Sequence, residues 1–176
     1  AVHRLLTETV GSSHSRREIY VNLANLSPAT ADGIYRALSI ALVGVSALVC
    51  GLARLPDRRR FVLEISIGIA LMVAIAPVSR KAHFVSLMVP MSYLVATGVA
   101  TGARRPLLWL APAWALLNLT GSGLIGRSAS VRALAWGALA WGVLLLWGGL
   151  VGERVRERGR PTPAGSGEPV PEARLG

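Results

Sequence analysis

Apolar residues fall in five long runs, at 34–53, 61–78, 84–103, 106–125 and 131–151, separated by short connections that carry most of the cations. About 20 mostly apolar residues in helix cross the hydrocarbon core of a bilayer, so each run predicts a transmembrane helix. Connections such as Arg54-Leu55-Pro56-Asp57-Arg58-Arg59-Arg60 and Ala103-Arg104-Arg105 are short, which makes sequential helices antiparallel. The fold class expected is therefore all-α: a polytopic membrane helix bundle with five transmembrane helices over residues 34–152. Residues 1–33 are mixed polar with brief apolar patches and read as an external, periplasmic-side loop segment. Within it, Ser27-Pro28 predicts an N-cap followed by proline at the first helical position, starting the first long helix before the membrane. Residues 153–176 read as a basic and then disordered cytoplasmic tail, because from Gly159 onward Pro and Gly abound without apolar periodicity.

Composition changes the picture in one respect. Only 16% of the 176 residues are charged and 52% are hydrophobic, against about 25% charged in an ordinary soluble domain. The net charge of +10 could point to nucleic acid, but the cations cluster between apolar runs, as in membrane proteins. Lys81 is the single lysine, and every other cation is arginine. Cytoplasmic loops carry an excess of Lys and Arg. A cytoplasmic C-terminus places Arg54, Arg58, Arg59, Arg60, Arg104, Arg105, Arg154, Arg156, Arg158 and Arg160 on that side. Arg80, Lys81, Arg127 and Arg132 then lie outside, with Arg4, Arg16, Arg17 and Arg36 in or beside the N-terminal segment. The expected location is the plasma (inner) membrane, multi-pass. Ala1-Val2-His3-Arg4 carries neither an initiator Met nor a signal peptide's pattern, so the chain reads as part of a longer protein.

Inside the runs, small residues at Gly98 and Gly102, or Gly148 and Gly152, have the spacing that lets helices approach closely in lipid. Pro77, Pro90 and Pro112 remove backbone donors and can bend a helix. Trp109, Trp136 and Trp147 sit near run ends, where interfacial anchoring is expected, while the deeper Trp114 and Trp141 leave room for sugar stacking. Glu64 is the single acid inside a run, one turn from Arg58 to Arg60; an intramembrane acid invites a functional role, but here pairing with an arginine is the simpler reading. Asn25-Leu26-Ser27 and Asn118-Leu119-Thr120 match the glycosylation pattern by chance, the first preceding Pro28 and the second lying within a run. Cys50 stands alone and His3, His14 and His83 are far apart, so no metal site and no cofactor are expected.

The segment with the most chemical content is Ala76-Pro77-Val78-Ser79-Arg80-Lys81-Ala82-His83-Phe84, a tight basic turn between two spans. Two adjacent cations beside an imidazole suit a phosphate through charge-assisted hydrogen bonds, and equally suit anchoring to anionic headgroups. Residues 75–90, Ile-Ala-Pro-Val-Ser-Arg-Lys-Ala-His-Phe-Val-Ser-Leu-Met-Val-Pro, resemble the late motif of glycosyltransferase family 87, also called the DUF2029 family. There a span ends in a Ser-Pro-(Ile/Leu)-Ser-like turn, followed by a short polar piece with histidine and an apolar span with proline. Ala76 stands where that family often has Ser, and Arg80 to His83 where many members have Trp-Asp-His-His. Ala1 to Leu6 is similar to the continuation of the family's external Asn-Gln-Ser loop.

The resemblance implies the C-terminal part of a GT-C-like fold, in an integral membrane enzyme that moves a hexose, typically mannose, from a polyprenyl-phosphate donor to a glycolipid or glycan acceptor on the outer face. It assigns Arg80, Lys81 and His83, and less strongly His3 and Arg4, to binding the donor phosphate. The family's catalytic acid would precede Ala1, so no catalytic residue is expected in this stretch, which alone should be inactive. The polyprenyl-phosphate sugar enters as donor substrate, with membrane lipids as the other partner and no nucleic acid. The alternative is a polytopic transport or membrane-anchor subunit without catalysis. A transporter would show internal repeats or paired broken helices, which the five runs do not display.

Overall fold

The structure, a computed structural model, describes residues 6–7, 24–51, 58–76, 85–118, 120 and 122–158. Among them there is no strand, and the chain is all-α. Among the described residues seven α-helices of four or more residues follow in order: α1 (Pro28–Cys50), α2 (Arg58–Ile75), α3 (Met88–Thr101), α4 (Arg104–Asn118), α5 (Ser122–Ile125), α6 (Arg127–Ala135) and α7 (Ala138–Arg158).

The start of α1 follows the pattern of its residues. Ser27 is the N-cap, its Oγ accepting the Thr30 amide at 3.2 Å, and Pro28 opens the helix where its missing N–H costs nothing. Elsewhere the helices depart from the apolar runs. A helix rises about 1.5 Å per residue, so the 14 residues of α3 and the 15 of α4 fall short of a hydrocarbon core about 30 Å thick. The run at 106–125 is cut because α4 ends at Asn118. The run at 131–151 is cut at Trp136 and Gly137, where Gly137 adopts φ 72°, a left-handed conformation that glycine alone accepts cheaply. Among the described residues, two helices are long and apolar enough to cross a membrane, α1 and α7.

The helix α7 is the centre of the assembly. It packs along α4 and α2 and touches α1, α3 and α6. Its buried positions, Ala138, Gly142, Val143, Leu146, Gly149, Leu150, Glu153 and Arg154, recur at three- and four-residue intervals and form one stripe. That stripe meets Leu63, Ile67, Ala70 and Val73 of α2, Tyr93 and Leu94 of α3 with Leu87 just before it, and Ala113 of α4. The boundary expected after residue 152 thus falls inside α7, which continues as helix to Arg158.

Two glycines set the α4–α7 spacing. A Cβ on Gly149 would lie 2.8 Å from the Trp109 Cβ, and one on Gly142 would lie 2.8 Å from Leu117 Cγ. Trp109 near the start of α4 therefore meets the later part of α7, and Leu117 near its end meets the earlier part, so the pair is antiparallel. Of the glycine pairs expected to pack, Gly98 does approach Leu107, but Gly102 is the C-cap of α3 and Gly152 faces open space.

By contrast α1 is peripheral and leaves Leu38, Ile40, Val43, Val45 and Leu48 exposed. It is fastened at both ends. Tyr35 donates its hydroxyl to the Ile75 carbonyl at the end of α2, and the Trp147 indole N–H donates to Ser46 Oγ at 3.0 Å. Trp147 is thus a contact between helices rather than the interfacial anchor its position suggested.

Candidate functional site

The residues expected to bind a donor phosphate, Arg80, Lys81 and His83, and the weaker pair His3 and Arg4, lie outside the described residues. What the structure defines is the frame around the basic turn. Its upstream side is held by the Tyr35 bond to Ile75. Its downstream side enters α3 through a short 3₁₀ turn over residues 85–87, with Leu87 and Pro90 buried. Pro90 sits in the first turn of α3, where a backbone donor has no partner to lose.

The described polar chemistry gathers at the other end of the bundle, where α2 and α4 begin and α1, α3 and α7 finish. Arg154 of α7 is 1% exposed. Its Nε and Nη2 donate to one oxygen of Glu64, at 3.2 and 3.0 Å, and Arg60 Nε reaches the same oxygen at 3.3 Å. A single carboxylate thus serves two guanidinium groups, one of them sealed from solvent. One turn further along α7, Glu157 pairs with Arg59 at 3.4 Å and accepts the Tyr93 hydroxyl at 3.4 Å. Arg59, ahead of the apolar run of α2, is held above the ordinary guanidinium value, chiefly by its hydrogen bond to Tyr93; partial burial opposes this, and the charges of Glu157 and Glu153 support it. Arg158 Nη2 donates to the carbonyls of Leu48 and Val49, at 2.8 and 2.6 Å, and so caps the C-terminus of α1, where helical carbonyls lack partners of their own.

These bonds make the end of α7 a clamp on α1, α2 and α3. Every buried side-chain nitrogen and oxygen among the described residues has a partner. Such a network holds helices in place. No group of three or more metal-ligating side chains occurs among the described residues. The pairing of Glu64 with an arginine was expected from Arg58 to Arg60, and Arg60 supplies it; the larger partner, Arg154, was assigned to the tail. Trp114, Trp136 and Trp141 are exposed, each by slightly more than half.

The chain matches no family model, no curated protein and no solved structure. Its class therefore rests on its own features: an all-α chain whose described residues include two helices able, by length and apolarity, to span a membrane.

Proposed function

We propose that this chain is a multi-pass helical membrane module, and that it serves as the C-terminal part of a polyprenyl-phosphate-dependent hexosyltransferase in the plasma membrane. The membrane reading is supported by large apolar side chains left exposed on every major helix, among them Ile40, Met72, Val99, Leu108 and Trp141. A water-facing surface seldom carries apolar area on this scale, whereas lipid covers it at no cost.

The enzymatic part rests on a single observation, the likeness of residues 75–90 to the glycosyltransferase family 87 motif. On that reading Arg80, Lys81 and His83 hold the donor phosphate as it leaves, fixed cations stabilising the charge that develops there. The test is sugar transfer by the native protein after Arg80→Ala, Lys81→Ala or His83→Ala. A loss of about 10²-fold or more, with membrane insertion unchanged, is expected. Unchanged transfer would remove these residues from the site.

The anchor reading is favoured by a different observation: each buried side-chain nitrogen and oxygen among the described residues already has a hydrogen-bond partner. It predicts that none of the three substitutions alters any activity of the native protein, and a transport role predicts altered flux without sugar transfer.

A further inference from the structure

Among the described residues at the clamp end, the acids are already engaged. Glu64 is shared by Arg154 and Arg60, Glu157 by Arg59 and Tyr93, and Glu153 is buried beside Arg156. Arg58, Arg104 and Arg105 are exposed at that same end and have no acidic partner among the described residues. Each stands one helical turn from exposed apolar side chains: Arg58 from Phe61, Arg104 from Leu108, and Arg105 from Leu108 and Trp109. Residues three and four apart share a helix face, so each of these guanidinium groups stands one turn from an exposed apolar side chain, with the Trp109 indole on the face of Arg105.

From this juxtaposition we infer that the arginine-rich end binds the phosphates of anionic phospholipid headgroups, with Arg58, Arg104 and Arg105 as the ligands and Phe61, Leu108 and Trp109 against the acyl chains. A soluble polyanion would engage the cations and leave the apolar row beneath them in water. A phospholipid meets both, its phosphate at the guanidinium and its chains one turn deeper, and an interfacial Trp suits the same depth. The surface rests on the membrane reading proposed above and adds to it a preference among lipids.

The experiment reconstitutes the full chain in phosphatidylcholine vesicles carrying spin-labelled phosphatidylglycerol or phosphatidylcholine, and compares how strongly each associates with the protein. The expected preference for phosphatidylglycerol is about fivefold, the factor one arginine supplies near an anionic surface. It should fall to about one in the Arg58→Gln, Arg104→Gln, Arg105→Gln triple variant and persist in Arg127→Gln, which removes a charge from the other end. A preference that survives the triple variant overturns the inference, as does one lost equally in Arg127→Gln. Loss on adding inorganic phosphate, but not chloride of equal ionic strength, would assign the site to free phosphate and also overturn it. Resistance to alkaline carbonate extraction is measured on the same vesicles. An inserted chain without lipid preference defeats this inference alone, whereas an extracted chain defeats the membrane reading with it.

Discussion

Arg154 and Glu64 stand 90 positions apart, yet two donors of the Arg154 guanidinium converge on one Glu64 oxygen at 3.0 and 3.2 Å. With Arg154 sealed and Glu64 about a quarter exposed, the charge that cannot do without its partner is the arginine. Removing one member of a buried pair costs about 3–5 kcal/mol, because the other is left uncompensated, while replacing both with apolar groups of similar size is often neutral. Glu64→Leu should therefore lower the unfolding midpoint in a detergent-denaturant titration by an amount in that range. Adding Arg154→Met should recover most of it. A double variant no more stable than Glu64→Leu alone would show that the pair is not the source of the loss.

The close approach of α4 and α7 yields a second expectation. Gly149 faces the Trp109 Cβ, an atom fixed to the backbone, so an added methyl group cannot be accommodated by rotating a side chain. Gly149→Ala should cost about 1–3 kcal/mol through overpacking. Gly152→Ala, three residues on but facing open space, should be neutral or stabilise by up to about 1 kcal/mol through helix propensity. Equal effects at the two positions, measured by the same titration, would contradict this seam.

Much of the helical frame was legible because apolar periodicity and end signals are local. Ser27 and Pro28 mark the start of α1 through bonds within one turn, and the all-α class follows from apolar runs too long for strands. Hydropathy failed where a helix interior turned polar. An average over a window sees Glu153 and Arg154 as the end of a span, but their spacing from Gly149 and Leu150 continues the buried stripe of α7. Following that stripe by position rather than by polarity would have placed Arg154 inside, with Glu64 the one acid available within a run to meet it. The break at Gly137 was hidden for a related reason: Trp136 and Ala138 flank it, so the run stays apolar while the backbone turns. The basic turn from Arg80 to His83 lies outside the described residues, and its role is carried by the sequence alone.

The Ser46 and Trp147 contact ties the exposed α1 to the central helix through one neutral hydrogen bond of 3.0 Å. In a membrane protein such bonds average about 0.6 kcal/mol in double-mutant cycles, since the unfolded helices find other partners in lipid. Ser46→Ala combined with Trp147→Phe should give a coupling energy near that value. A coupling of zero would mean that α1 is held by its apolar contacts and by its ends.

At the end of α1, Arg158 supplies what the helix cannot. Among the described residues, one nitrogen of a charged side chain serves the carbonyls of both Leu48 and Val49, which lie in the last turn of the helix. Hydrogen bonds to a charged group are worth about 1.5–3 kcal/mol, enough to hold a last turn that would otherwise fray. Arg158→Ala should speed amide hydrogen exchange at residues 47–50 by about tenfold or more, while exchange in α2 beside the Glu64 pair stays the same. Arg158→Lys should restore part of the protection, since an ammonium keeps the charge but loses the planar reach of the guanidinium. If exchange at 47–50 were unaltered in Arg158→Ala, the clamp would join α7 to α2 and α3 alone, and the C-terminal half of α1 would be held by the Ser46–Trp147 bond and its apolar contacts.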